Sequence, residues 1–162
     1  KKGQGDKHAN MFLRDIGQYR VQSTLAYEKT QRFDEPQVYQ DYMAKLNELK
    51  AETLEMLTDL KRQGKKVLGY GASTKGNTLL QFYGLGPDLI EAIAERQPQK
   101  YGLMTAGSWI PIISEEEMRK RKPDYLLVLP WHFMTEFIDR ESTFLQGGGK
   151  FIIPLPEVQV IS

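Results

Sequence analysis

The sequence contains no cysteine, which excludes disulfides, thiolate metal sites and a cysteine nucleophile and makes the cytoplasm the default compartment. It has no excess of one charge either. Twenty-two Lys and Arg stand against 21 Asp and Glu, a net charge of +1, so the basic footprint of a nucleic-acid-binding protein is missing. No apolar run approaches the roughly 20 residues that span a bilayer, and no membrane contact is expected. The first ten residues, Lys1 to Asn10, are polar and glycine-bearing. Without an apolar h-region they are not a signal peptide, and they read as a linker or as a boundary inside a longer chain. Internal repeats and long low-complexity stretches are absent too.

What is present fits one soluble domain: 162 residues, 40% apolar and 27% charged, are enough to bury a core. Residues 11–33 mix apolar and polar positions without a clear period, so residues 1–33 are expected to be a linker and irregular lead-in. From Asp34 a pattern sets in. Asp34 can cap a helix whose first turn holds Glu35 and Pro36, where proline is tolerated. Tyr39, Tyr42, Leu46, Leu49, Thr53, Met56 and Leu60 then recur at spacings of three and four, and Gly64 follows Lys61 and Arg62 as a helix stop. This predicts a long helix over 34–63. A coiled-coil seam would use the same stripe, but a short mixture of Tyr, Thr and Met is a weak zipper. The helix is therefore expected to pack on its own domain.

At Lys65 the period changes. Residues 65–71 (KKVLGYG) read as a short buried strand entering a glycine-rich turn, and 77–83 as a helix ended near Gly84 and Gly86. Residues 89–94 form a second candidate strand, with Glu95 at its C-terminal end, and 109–113 a brief extended piece. Ser114 and Glu117 make a Ser-x-x-Glu capping box for a small helix through Lys120. DYLLVL, 124–129, is apolar almost throughout, as a strand covered on both faces should be. Residues 133–145 look helical, Gly147-Gly148-Gly149 breaks them, and 151–153 and 158–161 are closing strands, the last able to run antiparallel at an edge. Strands alternating with helices predict an α/β, Rossmann-like domain over 34–162, with a mostly parallel sheet and helices on both faces.

The best candidate site is the turn after the first strand, GYGASTKGNT, 69–78. Ligands of open α/β sheets sit beyond the carboxyl ends of the strands. There Gly71 and Gly76 let the backbone come close, and a helix N-terminus offers its N–H groups to an anion. Ser73, Thr74, Asn77 and Thr78 add polar groups, and Lys75 adds a charge. A plain tight turn with Lys75 in solvent would use the same glycines, but the Ser-Thr-Lys-Gly-Asn-Thr cluster favours an anion. Lys75 precedes Gly76 instead of following it, unlike a Walker loop, and position 74 is Thr where G-x-G-x-x-G needs glycine.

GYGASTKGNTLLQFYGL, residues 69–85, resembles the signature of the C-terminal domain of S-adenosylmethionine-dependent nucleotide-sugar C-methyltransferases. TAGSWIPI (105–112), KPDYLLVLPW (122–131) and GGKFIIPLP (148–156) agree with it in order and spacing, so the resemblance covers about residues 35–156. It implies a Rossmann-like domain that helps to hold a nucleotide-linked sugar. A zinc-binding N-terminal part and a central methyltransferase domain would precede it, with S-adenosylmethionine bound centrally and no cofactor in this piece. By matching, residues 71–78 would face the diphosphate, and Thr105, Ser108 and the Trp131-His132 corner would border the same cleft. The family's proton-abstracting residues lie in the central domain and match nothing here, so no catalytic residue is expected and this piece alone should be inactive. Glu95 stands where the family more often has Asp, and can still accept from a sugar hydroxyl. His132 stands where Asn is expected.

Other residues invite blander readings. His132 has no second His and no carboxylate at ligand spacing beside it, so a packing or cleft-lining role is expected and no metal. Trp131 can stack on a base or anchor the strand end. Glu115, Glu116 and Glu117 read as a solvated helix start favoured by the helix dipole. Two further functions use the same pattern: a nicotinamide- or CoA-binding Rossmann domain, and a non-catalytic assembly module whose long helix docks to a partner.

Overall fold

The apolar strand residues divide by parity between two cores, and that division sets the architecture. In β1 (Val67–Tyr70), Val67 enters one core and Leu68 and Tyr70 the other. In β4 (Tyr125–Val128), Leu127 enters the first, and Leu126 and Val128 the second. With β2 (Ile93–Glu95), β3 (Ile112–Ser114), β5 (Lys150–Ile153) and β6 (Gln159–Ile161) they form a six-stranded sheet in the order β3-β2-β1-β4-β5-β6. Every pairing is parallel except that of β6, which runs antiparallel to β5 at the edge. Helices α2 (Pro36–Arg62) and α3 (Thr74–Tyr83) supply side chains to the first core. The second core is covered by α4 (Glu115–Arg121), α5 (Met134–Arg140) and α6 (Ser142–Gln146). This is the Rossmann-like, doubly covered sheet that the alternating pattern predicts.

The computed structural model describes the backbone from Gly5 and the side chains from Arg14 to Ser162. Residues 1–4 of the expected linker and the side chain of His8 lie outside the described residues. The chain divides into two compact units, one ending at Leu46 and the other Asn47–Ser162, and α2 runs through the division. In the first unit the expected irregular lead-in is largely a helix, α1 (Gly5–Thr30). On it Tyr19, Leu25 and Tyr27 are exposed. The turn to α2 is held by the Tyr39 hydroxyl donating to the Phe33 carbonyl at 2.7 Å. α2 starts at Pro36, so Glu35 and not Asp34 is its flanking residue, and Arg32 binds Glu35 instead.

In the second unit α2 buries Leu49, Thr53, Leu57 and Leu60. The lower half of the expected stripe thus packs on its own domain, whereas Tyr39 and Tyr42 above it are exposed. Three other expectations shift. The second strand begins at Ile93, because the N–H groups of Leu89 and Ile90 both turn back to the Gly86 carbonyl. Trp109 is not extended but left-handed, with φ +56°, and the strand starts at Ile112. The helix expected over 133–145 is broken at Glu141, whose backbone leaves helical geometry (φ −105°, ψ 28°) while its carboxylate is buried.

The starts of β1 and β4 are tied by Asp124. Its carboxylate accepts from the Lys66 N–H at 2.8 Å and from Lys65 Nζ at 3.2 Å, which holds it below the ordinary aspartate range. Two glycines then press the β1 turn against the end of β4. Gly71 has φ +84°, and a Cβ there would lie 2.6 Å from Pro130 Cγ; one on Gly76 would lie 2.5 Å from Leu129 Cβ. Both positions therefore need glycine for close approach.

Candidate functional site

The strand order reverses between β1 and β4, whose following helices leave to opposite faces of the sheet. A crevice opens at the carboxyl ends of such strands. Here it is a cleft of about 310 Å³, walled by Gly71, Ala72 and Ser73 after β1, Glu95 to Gln97 after β2, Glu115 after β3, and Pro130 and Phe133 after β4. Lys100, Glu136 and Arg140 complete it.

On the β1 side, α3 begins earlier than expected, at Thr74, because Ser73 caps it. Ser73 Oγ accepts from the Gly76 N–H at 3.0 Å, which leaves the hydroxyl proton for another acceptor. The N–H groups of Thr74 and Lys75 have no acceptor among the described residues, as at any helix start without further partners. Thr74, Lys75 and Thr78 are exposed on this first turn, and Thr78 Oγ1 donates back to the Thr74 carbonyl at 3.3 Å. Asn77 turns inward, and its Oδ1 is buried without a partner.

On the β2 side, Glu95 is 9% exposed and already occupied. Its Oε1 accepts from the N–H groups of Arg96 (2.8 Å) and Gln97 (3.0 Å), and its Oε2 from Lys100 Nζ at 3.1 Å. Burial pushes its pKa up, but the Gln97 N–H, Lys100 and the Arg96 N–H together outweigh it and hold the carboxyl below the ordinary range.

Below the far wall lies a network that sequence reasoning missed. The buried Tyr70 hydroxyl is 2.9 Å from Glu115 Oε1 and 2.8 Å from Glu141 Oε1, and it accepts from Arg140 Nε at 3.0 Å. Its single proton serves one carboxylate at a time. Burial pushes its pKa well up, so the proton stays. Arg119 donates to both oxygens of Glu141, through Nε at 3.1 Å. The expectation that Glu115 is solvated therefore fails: its side chain is 14% exposed, whereas Glu116 at 77% fits that reading. Glu115 and Arg140 are i and i+25 in sequence, and nothing local marks them as partners.

Of the residues expected at the site, the cleft brings together Gly71, Ser73 and Glu95. Thr105 and Ser108 lie elsewhere. Their hydroxyls bond each other at 2.7 Å, and Thr105 Oγ1 accepts from the Ile110 N–H at 2.9 Å, closing a turn that rests on α3 through Gln81 Nε2 and the Ala106 carbonyl. Trp131 is half-buried and packs against both cores, so it anchors the strand end; His132 is exposed beside it. Their neighbours Pro130 and Phe133 line the cleft instead. Arg96, Lys100, Glu136 and Arg140 were not singled out by motif, because scattered charges after a strand and along a helix look like ordinary surface. Among the described residues no helix is long and apolar enough to cross a membrane.

A doubly covered sheet with a polar, cation-bearing cleft at its switch point defines a Rossmann-like domain. Comparison with known proteins makes the class specific: residues 11–156 match the model of the C-methyltransferase C-terminal domain, and the chain belongs to that family. It is also 39% identical over 142 residues to the C-methyltransferase NovU of Streptomyces niveus, covering 88% of this chain and 34% of that protein. The chain thus spans about a third of the length of the curated relative it matches.

Proposed function

We propose that this domain holds a nucleotide-linked sugar for a methyltransferase that moves a methyl group from S-adenosylmethionine to a sugar carbon. The observation that carries the reading is the cleft itself. One wall is the turn Gly71 to Ser73 with the Ser73 hydroxyl, and the others bring Arg96, Lys100 and Arg140. Donors and cations on several walls suit a diphosphate. Holding the nucleotide there positions the distant sugar carbon for reaction.

The methyl donor suits this cleft poorly. A Rossmann site for a ribose uses the carboxylate at the end of the second strand to accept from its hydroxyls. Glu95 has that place, but both its oxygens are engaged by Arg96, Gln97 and Lys100. The same occupancy weighs against a nicotinamide cofactor. S-adenosylmethionine is therefore assigned to a central methyltransferase domain of the whole protein.

Calorimetry on the 162-residue chain tests the assignment. Uridine or thymidine 5′-diphosphate should bind, weakly for a cleft open on one side, while S-adenosylmethionine and NADH should not. Tight binding of S-adenosylmethionine with no response to either diphosphate reverses the assignment.

A further inference from the structure

Two guanidinium groups converge on one carboxylate oxygen at the mouth of the cleft. Glu136 Oε1 accepts from Arg140 Nη1 at 2.8 Å and from Arg96 Nη1 at 3.5 Å. Arg96 follows β2, whereas Glu136 and Arg140 sit one turn apart on α5, so the contact crosses the opening.

The other two carboxylates of the cleft are held from within. Glu95 has two backbone N–H groups and Lys100. Glu115 has the Tyr70 hydroxyl, Arg140 Nη2 at 3.1 Å and Arg119. Glu136 is different: its side chain is 55% exposed, and its partners among the described residues are the two arginines. Exposed pairs of this kind are weakly held. Arg140 does not depend on Glu136 for its place. Its Nε stays on the Tyr70 hydroxyl and its Nη2 on Glu115, so removal of Glu136 releases Nη1 only.

We propose that Glu136 Oε1 occupies the seat of an anionic oxygen of the ligand, a phosphate oxygen of a nucleoside diphosphate, which displaces Glu136 and is then gripped by Arg96 and Arg140. This rests on the nucleotide-binding reading above and adds to it the residues that recognise the charge. A phosphate offers more acceptor oxygens and more charge than a carboxylate, and guanidinium groups match its geometry. Glu136 holds the two like charges of Arg96 and Arg140 together. When the ligand arrives it is the competitor that must leave.

The test is calorimetric titration of the 162-residue chain and its Glu136→Gln and Arg96→Ala variants. The probes are uridine and thymidine 5′-diphosphates, pyrophosphate and the uncharged nucleosides. Glutamine keeps the shape of glutamate and removes its charge, so Glu136→Gln should bind the diphosphates and pyrophosphate about two- to five-fold more tightly, the strength of an exposed pair. Arg96→Ala should weaken both by about ten-fold or more, as loss of a charge-assisted bond does. Neither substitution should alter nucleoside binding. Arg140→Lys keeps the charge without the fork, and should weaken the diphosphates while leaving the circular dichroism spectrum intact. If the wild type binds diphosphates but Glu136→Gln binds no more tightly, or Arg96→Ala loses nothing, the displacement is wrong and the nucleotide-binding reading survives. If no form binds a diphosphate, both are overturned.

Discussion

Lys100 donates from one ammonium to Glu95 Oε2 at 3.1 Å and to the Ala72 carbonyl at 2.8 Å, so a single side chain joins the end of β2 to the turn after β1. Lys100→Ala should destabilise the domain by about 1 kcal/mol, less than the full worth of a charged hydrogen bond because the lysine is a third exposed. A urea midpoint lowered at constant slope is the expected reading.

The same pair gives a pH dependence with a definite sign. The folded pKa of Glu95 lies below its ordinary value of about 4.3, so the native state binds fewer protons than the unfolded chain in the acid range. Its contribution is complete above that value and is lost as pH falls through the folded pKa; Asp124 acts in the same direction. The stability gap between wild type and Lys100→Ala should therefore be larger in urea at pH 7 than at about pH 3. An unchanged gap at the two pH values would mean that Lys100 acts by packing alone.

Tyr70→Phe removes one hydroxyl that touches Glu115, Glu141 and Arg140 Nε, so one carboxylate loses a donor and Arg140 Nε its acceptor. Glu141 is 2% exposed, so the loss should be about 1–3 kcal/mol although the ring and its packing on Phe137 are kept. Thermal and urea unfolding measure it. A change within experimental error would show that Arg119 and Arg140 satisfy both carboxylates unaided.

Gly76→Ala adds one methyl group where β4 is closest, 2.5 Å from Leu129 Cβ. Overpacking of this kind typically costs about 1–3 kcal/mol, against the smaller gain alanine gives an open helix. The variant should unfold earlier in urea and show altered nucleotide affinity, since the methyl group pushes the capped turn off the sheet.

Lys75→Ala should do the reverse: leave stability alone and weaken diphosphate binding by about 0.5–1 kcal/mol, the long-range pull of an exposed charge just outside the cleft lining. Lys75 is exposed and makes no hydrogen bond or ion pair among the described residues, so nothing in the fold depends on it. Equal affinity of mutant and wild type would reduce its loop to a turn.

The sheet was legible because buried parallel strands announce themselves: YLLV has no polar interruption, and Ser114 with Glu117 signals a helix start that the Ser114 hydroxyl makes at 3.0 Å from the Glu117 N–H. Local chemistry carried those predictions. The glycines of the first turn were also found, though their necessity lies as much in the approach of Pro130 and Leu129 as in any ligand. The charged side of the cleft was not legible. Tyr70, Glu115, Arg140 and Glu141 meet only through the fold, across as many as 71 positions, and no spacing rule links them. Thr105 and Ser108 were expected at the cleft only through the family resemblance, and the 2.7 Å bond between their hydroxyls, which no local pattern announced, belongs to a separate turn.

In this domain the opening between β1 and β4 is made by the path of the chain, not by the side chains around it. Helices departing to opposite faces leave a gap whatever residues follow the strands. Cleft residues that belong to neither core are therefore editable apart from the sheet. Exchanging Arg96, Gln97, Phe133 or Glu136, all outside the two cores, would reshape and recharge the cleft wall while the six strands keep their register. One scaffold can thus carry clefts of different shape and charge without having to be invented again.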